Sequence, residues 1–414
     1  MNAGAPATTD SVPAALVPPH GERALLWALL AGNFVIGTGV MMPAGMMNVL
    51  ADAFSLPVPR IGALIWMGAI TMGIGAPLMA WTASRVDRRT LLVASLALYV
   101  AGHLAAAASP GFGTLLAARI VTVLGAAVFT PQAAAALSVL LPPERRPAGV
   151  TFAFLGWSVA AAFGMPLGSW FGASMGWRAA YLLEASMALA AAIAVARTLP
   201  RRVLSPRVSL GTWRAVARHP ALPLLLALTV AQTAAQFTLS SYTAPELRRR
   251  LDASPELIAG LFAVFGSCGV VGNVLVSRLM AAGRVRPDRA LLGTMGLMAC
   301  GLLAWSVAGG TLSVVATGMA LWGLGCFASN SLQQARLIGA QPMLAPASVA
   351  LNSSGLYIGQ AIGALAGGAL IAAGVPATLA PLGLGIMLGA IILSVAAARA
   401  ERRGAAADAL RRAA

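Results

Sequence analysis

Two ionisable residues stand inside long stretches that otherwise carry no charge. Arg119 lies in LLAARIVTVLG (Leu115–Gly125) and Glu184 in YLLEASMAL (Tyr181–Leu189). A charged side chain in hydrocarbon costs at least about 2.5 to 3.5 kcal/mol even on insertion scales, so such a residue faces a cavity or a partner. For Arg119 the competing use is snorkelling to the nearby interface. A carboxyl withdrawn from water can exchange a proton as a solute binds and leaves, which makes Glu184, with Arg119, the candidate for proton coupling. The competing use of Glu184 is an ion pair with Arg178. His103 is read as packed and neutral rather than as a relay.

Uncharged polar and thioether side chains recur in the same kind of surroundings: Asn33, Met41 and Met42, then Gln232, Gln236 and Tyr242, then Asn352 and Tyr357. Together with Arg119 they can line a midplane solute pathway, the amides by hydrogen bonding and the methionines by adaptable packing. Hydrogen bonding between helices is the competing use of Asn and Gln. Cys268, Cys300 and Cys326 are an odd set inside apolar runs, a poor disulfide framework without metal-ligand spacing, and are read as small core residues. No metal site, phosphate loop or acid–base–nucleophile cluster suggests itself. The expectation is a chain that is not an enzyme and needs no cofactor.

The elements that must position these residues are membrane-spanning helices. The chain is 59% hydrophobic and 10% charged with mean hydropathy +0.82, against roughly 45 to 50% apolar and about 25% charged in soluble domains. A crossing needs roughly 20 apolar residues. Breaks at polar, Pro and Gly positions place six helices near 24–50, 61–83, 90–109, 113–140, 148–172 and 178–198. Six more fall near 219–243, 256–280, 288–308, 312–335, 347–373 and 378–400. The expected division is a tail at 1–22, a six-helix half at 23–198, a linker at 199–219, a second half at 220–400 and a tail at 401–414. The first 22 residues lack the short apolar core and cleavage site of a secretory signal.

The net charge of +16 raises the possibility of nucleic acid, but all 28 basic residues are Arg and most lie in loops on alternating sides. One side holds Arg85, Arg88, Arg89, Arg145, Arg146, Arg278, Arg284, Arg286, Arg289 and the linker and tail arginines. By the positive-inside rule that side is the cytoplasm, with both termini on it. The linker PRRVLSPRVSLGTWRAVARHP (Pro200–Pro220) has no acid and is read as a solvated tether meeting anionic headgroups.

An internal repeat shows in the glycines. Gly156, Gly164, Gly168, Gly172 and Gly176 of the fifth helix recur as Gly355, Gly359, Gly363 and Gly367 of the eleventh, and Gly75 of the second pairs with Gly272 of the eighth. Spacing by four puts each set on one face, where small residues let helices approach closely. Matching stripes mark equivalent surfaces of two halves that rock against each other.

The run GMPLGSWFGASMGWRAAY (Gly164–Tyr181) resembles the fifth-helix antiporter motif of the major facilitator superfamily, in its drug:proton antiporter-type, arabinose efflux permease-like branch. Gly164, Pro166, Gly168, Gly172, Trp177 and Arg178 carry the match. AQFTLSSYTAPEL around Gln236 and Tyr242, and LNSSGLYIGQAIGALAGGAL (Leu351–Leu370), are similar to the family's seventh and eleventh helices. AWTASRVDRR (Ala80–Arg89) resembles the family's loop signature but has Ala80 and Asp87 for glycines and Ser84 for the acid, keeping Arg85, Arg88 and Arg89. Asp87 can pair with an arginine, cap a helix N-terminus or simply be solvated. The stretch GNVLVSRLMAAGR (Gly272–Arg284) keeps only Arg278 and Arg284 of the signature. Arg119 resembles the fourth-helix arginine, whereas the first-helix stretch NFVIGTGVMMP (Asn33–Pro43) lacks the acid common in relatives.

The resemblance implies an all-α membrane protein with twelve transmembrane helices in two pseudo-symmetric six-helix bundles. It implies a secondary transporter of the inner membrane, monomeric, exporting a drug-like, sugar-like or metabolite molecule by alternating access and proton antiport. Conformational gating is expected at Arg85, Asp87, Arg88 and Arg89 and at Gly156, Gly164, Pro166, Gly168, Gly172, Arg178, Gly359, Gly363 and Gly367. The alternatives are a facilitator or importer of a small polar solute, and a non-transporting receptor or scaffold of the same fold. The expected partners are a small-molecule substrate and the bilayer, without nucleic acid.

Overall fold

The computed structural model describes residues 19–82, 86–142, 145–201, 203 and 210–413. In hydrocarbon every backbone N–H and C=O must be satisfied within the chain, which leaves helices as the solution for long apolar runs. The first half is α1 (Pro19–Gly45), the short α2 (Met47–Phe54) and α3 (Val58–Ile61), then α4 (Ala63–Thr82), α5 (Arg88–Ala107), α6 (Phe112–Leu140), α7 (Arg146–Met175) and α8 (Trp177–Thr198). A linker helix α9 (Leu210–Arg218) follows. The second half is α10 (Leu222–Ser240), its bent continuation α11 (Thr243–Leu251), α12 (Pro255–Ala281), α13 (Pro287–Val307), α14 (Leu312–Ala340), α15 (Ala345–Ala372) and α16 (Leu379–Ala413). Twelve segments are long and apolar enough to cross a membrane, and no strand occurs among the described residues.

Local chemistry sets several boundaries. Asp87 caps α5, accepting from the Thr90 backbone N–H at 3.2 Å. Ser254 caps α12 ahead of Pro255, where a missing N–H costs nothing. α7 and α8 meet at Gly176, whose φ of +84° suits a residue without Cβ.

Three features depart from the expected segments. The first run breaks at Met46 into α1 and α2, because Pro43 in the last turn of α1 removes a backbone donor and its ring crowds the preceding turn. The 199–219 linker contains the helix α9 rather than a plain tether, and Val216 of α9 is fully buried. α16 continues to Ala413, through the segment expected as a tail, since residues 400–413 are Ala- and Arg-rich helix formers. Among the cysteines only Cys326 is buried; Cys268 is half-buried and Cys300 exposed, so the core reading fails for Cys300.

The glycine stripes serve the close approach their spacing suggests. On α7, a Cβ at Gly156 would stand 2.3 Å from the Leu30 carbonyl oxygen of α1, and Gly164, Gly168 and Gly172 follow against Thr38, Met42 and Met46. On α15, a Cβ at Gly359 would stand 2.4 Å from the Val230 carbonyl oxygen of α10, with Gly363 and Gly367 against Ala234 and Thr238. The contact of the first with the fifth crossing is thus repeated by the seventh with the eleventh. Gly75 faces Ala127 of α6 and Gly272 faces Leu324 of α14, which repeats the second-with-fourth contact as eighth-with-tenth. Between halves, Gly266 of α12 abuts Ala162 of α7 and Gly73 of α4 abuts Ile358 of α15.

Candidate functional site

The break in α1 prepares the site. Pro43 cannot donate to the carbonyl four residues back, which belongs to Gly39. Arg119 of α6 takes that free acceptor, donating from one terminal nitrogen to Gly39 O at 2.7 Å and from the other to Val40 O at 2.9 Å. Its Nε donates to Leu64 O of α4 at 3.2 Å. Gly68 makes room beside the guanidinium, since a Cβ there would lie 3.3 Å from Arg119 Nε. The side chain is buried, so it does not snorkel to the interface. Backbone dipoles from two helices, with no carboxylate in hydrogen-bond contact, hold the cation.

On the other side of Gly39 three polar atoms converge. A Cβ on Gly39 would stand 2.2 Å from Tyr99 Oη, 2.9 Å from His103 Nε2 and 3.0 Å from Glu184 Oε1. Tyr99 and His103, four apart, share one face of α5 and stack edge to face at 4.5 Å between centroids. The His103 ring is 5.7 Å from that of Tyr181 on α8. Tyr99 Oη is shared by the Val35 and Ile36 carbonyls at 3.3 and 3.2 Å. In contrast both carboxylate oxygens of Glu184, both ring nitrogens of His103, Tyr181 Oη and Thr38 Oγ1 are buried without a hydrogen bond. Leaving such groups unmade costs about 1 to 3 kcal/mol each, so the cluster is a reservoir of unmet hydrogen-bonding capacity. Glu184 and Thr38 also line a narrow crevice between α1, α7 and α8, walled by Met42, Gly168, Phe171 and Leu183.

Glu184 does not pair with Arg178. The Arg178 guanidinium lies over the Trp177 ring at 4.1 Å and donates to Ser109 O at 3.1 Å, which fixes the turn between α7 and α8 to the end of α5.

Of the uncharged residues, several join helices. Asn33 is buried, donating to Ala153 O of α7 at 3.0 Å and accepting from Thr130 of α6 at 2.8 Å. Tyr242 donates to Ala364 O of α15 at 2.7 Å, and Asn352 accepts from Thr229 of α10 at 2.6 Å. Gln236 accepts a weak bond from Cys326 Sγ at 3.0 Å, while its amide nitrogen and the Gln232 carbonyl oxygen are buried and unpaired. Met42 is buried beside Gly168 and Met41 is half-buried. Tyr357 of α15 packs against the core of the first half, within electrostatic reach of Tyr99.

The gating residues fall into three places. Arg85 lies outside the described residues. Asp87 accepts from the Val203 backbone N–H at 2.9 Å while the Arg88 N–H donates to Val203 O at 2.9 Å, clamping the linker to the start of α5. The Arg88 side chain is buried and donates to Gln132 of α6; Arg89 stands half-buried in the same turn. The glycines and Pro166 lie in the paired helix contacts described above.

Most polar contacts between the halves lie at one end, with a long one from Asn273 of α12 to Ser158 Oγ of α7 at 3.5 Å further along the interface. At that one end Asn48 of α2 donates to Ala244 O of α11 at 3.0 Å, Arg248 pairs with Asp52 at 2.7 Å, and the Tyr242 hydroxyl sits against Gly62. At the opposite end the ion pairs Glu22–Arg145, Arg336–Glu401 and Arg402–Asp288 each stay within one half.

The convergence at Gly39 had a sequence signal in its spacing. Gly39 and Pro43 are four apart, as are Tyr99 and His103, and Tyr181 and Glu184 are three apart, so each pair lies on one face of its helix.

The Major Facilitator Superfamily model matches residues 29–342, and the chain belongs to that superfamily: it is a multi-pass membrane transporter of twelve apolar helices. Among relatives, it is 29% identical over 380 residues to the inner membrane transport protein YdhP of Escherichia coli O157:H7, covering 90% of this chain and 93% of that protein. It is 29% identical over 346 residues to a probable sugar efflux transporter of Mannheimia succiniciproducens, covering 83% of this chain and 86% of the relative. The fold is also that of a D-xylose–proton symporter (TM-score 0.74, 16% identity, 90% of this chain and 97% of that one). It is shared by the human organic anion transporter MFSD10 (TM-score 0.71, 17% identity, 91% and 100%).

Proposed function

We propose that the protein exports a small molecule across a bacterial-type inner membrane by alternating access, in exchange for protons. The observation that carries this reading is the buried, hydrogen-bond-deficient cluster at Gly39. It sets an ionisable pair, Glu184 and Arg119, against the broken end of α1, in a fold whose halves are tied at one end by Asn48–Ala244 and Arg248–Asp52. Arginine distribution supports both termini on the cytoplasmic side, which makes the closed end the external one. Asp87, Arg88, Arg89 and the glycine contacts are the parts that hold or slide as the halves rock, with Arg85 two residues before Asp87 in sequence. Gln232, Gln236, Asn352, Tyr357, Met41, Met42, Asn33 and Tyr242 supply or brace the polar wall of the solute path. The sugar-efflux and inner-membrane relatives support export, this location and a sugar-like solute over a drug-like one.

The test is flux in proteoliposomes loaded with labelled L-arabinose or isopropyl thiogalactoside, with and without an imposed pH gradient. Gradient-driven efflux is expected. Flux indifferent to the gradient would establish the facilitator alternative, and no flux across a broad panel of sugars and drugs would favour a receptor or scaffold.

A further inference from the structure

The strongest unabsorbed feature is His103. It sits in the interior of α5, fully enclosed, with neither ring nitrogen hydrogen-bonded. An imidazole buried in this way leaves a donor and an acceptor idle. Its Nε2 and Glu184 Oε1 lie within 3.0 Å of one point above Gly39, reached from different helices. A protonated carboxyl donates one hydrogen bond, and a neutral imidazole nitrogen accepts one. Each supplies what the other lacks.

We propose that Glu184 and His103 act as one proton-binding pair: protonated Glu184 donates to His103 Nε2, and the carboxylate left on proton release turns to the Arg119 guanidinium. This deepens the proton-antiport reading above and rests on it. In the loaded state a single proton is shared along Glu184 Oε–H···Nε2 of His103, and Arg119 stays on the carbonyls of Gly39 and Val40. On release the proton leaves through the crevice that Glu184 and Thr38 both line. The bare carboxylate then competes with Gly39 O and Val40 O for Arg119, and α1 loses its tie at the Pro43 break.

Among the described residues no other carboxylate is recorded against Glu184, Arg119 or His103. The titratable or charged groups around Glu184 are Tyr99 and His103 from α5 and Arg119 from α6, with Tyr181 of α8 set against Arg119 and His103 and Tyr357 of α15 reaching Tyr99. From α1 and α7 the lining is Thr38, Met42, Gly168 and Phe171, none ionisable. Gly39 is the hub: its carbonyl binds Arg119 and its Cα face touches both members of the pair. That is how a proton on α8 is felt by α1.

Infrared difference spectra of the purified full chain in lipid nanodiscs, titrated with acid and base and with no solute added, test the pair directly. The expected result is a buried carboxylic-acid carbonyl band that vanishes in Glu184→Gln. In both His103→Asn and His103→Phe it changes frequency, and its titration midpoint moves by about tenfold in proton concentration or more. The Phe variant keeps the ring packing, and thermal unfolding identifies variants that fold. A band that survives Glu184→Gln, or one unmoved in both folded His103 variants, overturns the pair. Failure of gradient-driven flux with the band behaving as expected strikes the antiport reading alone. Gradient-driven flux with an unmoved band strikes only the pair.

Discussion

The two halves repeat the same packing yet differ in their interiors. α7 lays its glycines on α1 as α15 does on α10, to within 0.1 Å at Gly156 and Gly359. The first half carries prolines inside α1, α4, α6 and α7, and uses the carbonyl freed by Pro43 to hold a buried arginine. In the second half the spanning helices keep proline to their first turns. Where the first half has Arg119, Glu184 and His103 in the interior of its spanning helices, the second has Gln232, Gln236, Asn352 and Thr229, and its buried charges Glu246, Asp288 and Arg336 lie near helix ends in ion pairs. At mid-span the shared scaffold thus carries ionic groups on one side and neutral hydrogen bonding on the other. Under the proposed proton antiport, energy coupling falls to the first half and uncharged recognition to the second.

The largest effect should follow from attacking the ionic side. Arg119→Ala removes a cation and leaves the Gly39, Val40 and Leu64 carbonyls without their donor. Solute flux is expected to fall to background, while expression and membrane insertion persist because the apolar runs that direct insertion are untouched. Gln236→Ala, the matched change on the neutral side, should leave gradient dependence intact and raise the solute concentration needed for half-maximal flux. Equal loss of coupling in both variants would erase the contrast between the halves.

Much of this fold is legible in the chain because membranes impose simple length and composition rules. The twelve apolar runs, the glycine stripes and the cap at Asp87 follow from local periodicity and local hydrogen bonding. The site is less legible for a physical reason: Arg119 is satisfied by carbonyls 79 and 80 residues away, and any residue type supplies a carbonyl. Glu184 next to Arg178 in sequence invites an ion pair, but helical geometry turns the two to different faces, and Arg178 stacks on Trp177 instead. A lone histidine on an apolar helix reads as packed and neutral, and His103 is buried. Only the crossing of α1, α5 and α8 brings it to Glu184. Asn33 and Tyr242, candidates for the solute path, bond helices together, the use that competes for such residues in lipid.

A smaller effect sharpens the symmetry. Gly156→Ala and Gly359→Ala each place a methyl against a backbone carbonyl oxygen, at 2.3 and 2.4 Å, which a helix pair can relieve only by separating. Overpacking of this kind costs about 1 to 3 kcal/mol. Both variants should lower the thermal unfolding midpoint by similar amounts. A drop confined to one would show that the paired contacts are not equivalent in energy. If transport falls more in Gly156→Ala at matched stability, the excess belongs to α1, the helix that also carries the Arg119 tie.

The smallest effect is expected where the halves are joined by charge. Arg248 and Asp52 pair at 2.7 Å, but both side chains are more than half exposed, and such pairs contribute about 0 to 1 kcal/mol. Glu246, three to four residues from its partners Arg249 and Arg250, is buried and holds the end of α11 within its own half. Asp52→Asn should therefore leave the unfolding midpoint nearly unchanged and loosen only the mouth. In a background with Cys268, Cys300 and Cys326 replaced by Ala, Met46→Cys reports opening at that end by its reaction with a soluble thiol reagent. The rate should rise by no more than about fivefold in Asp52→Asn, the most that 1 kcal/mol permits. A weak latch suits a mouth that must open in each cycle, and a far larger rise would mean that the exposed pair, rather than the Asn48 and Tyr242 contacts behind it, keeps that mouth shut.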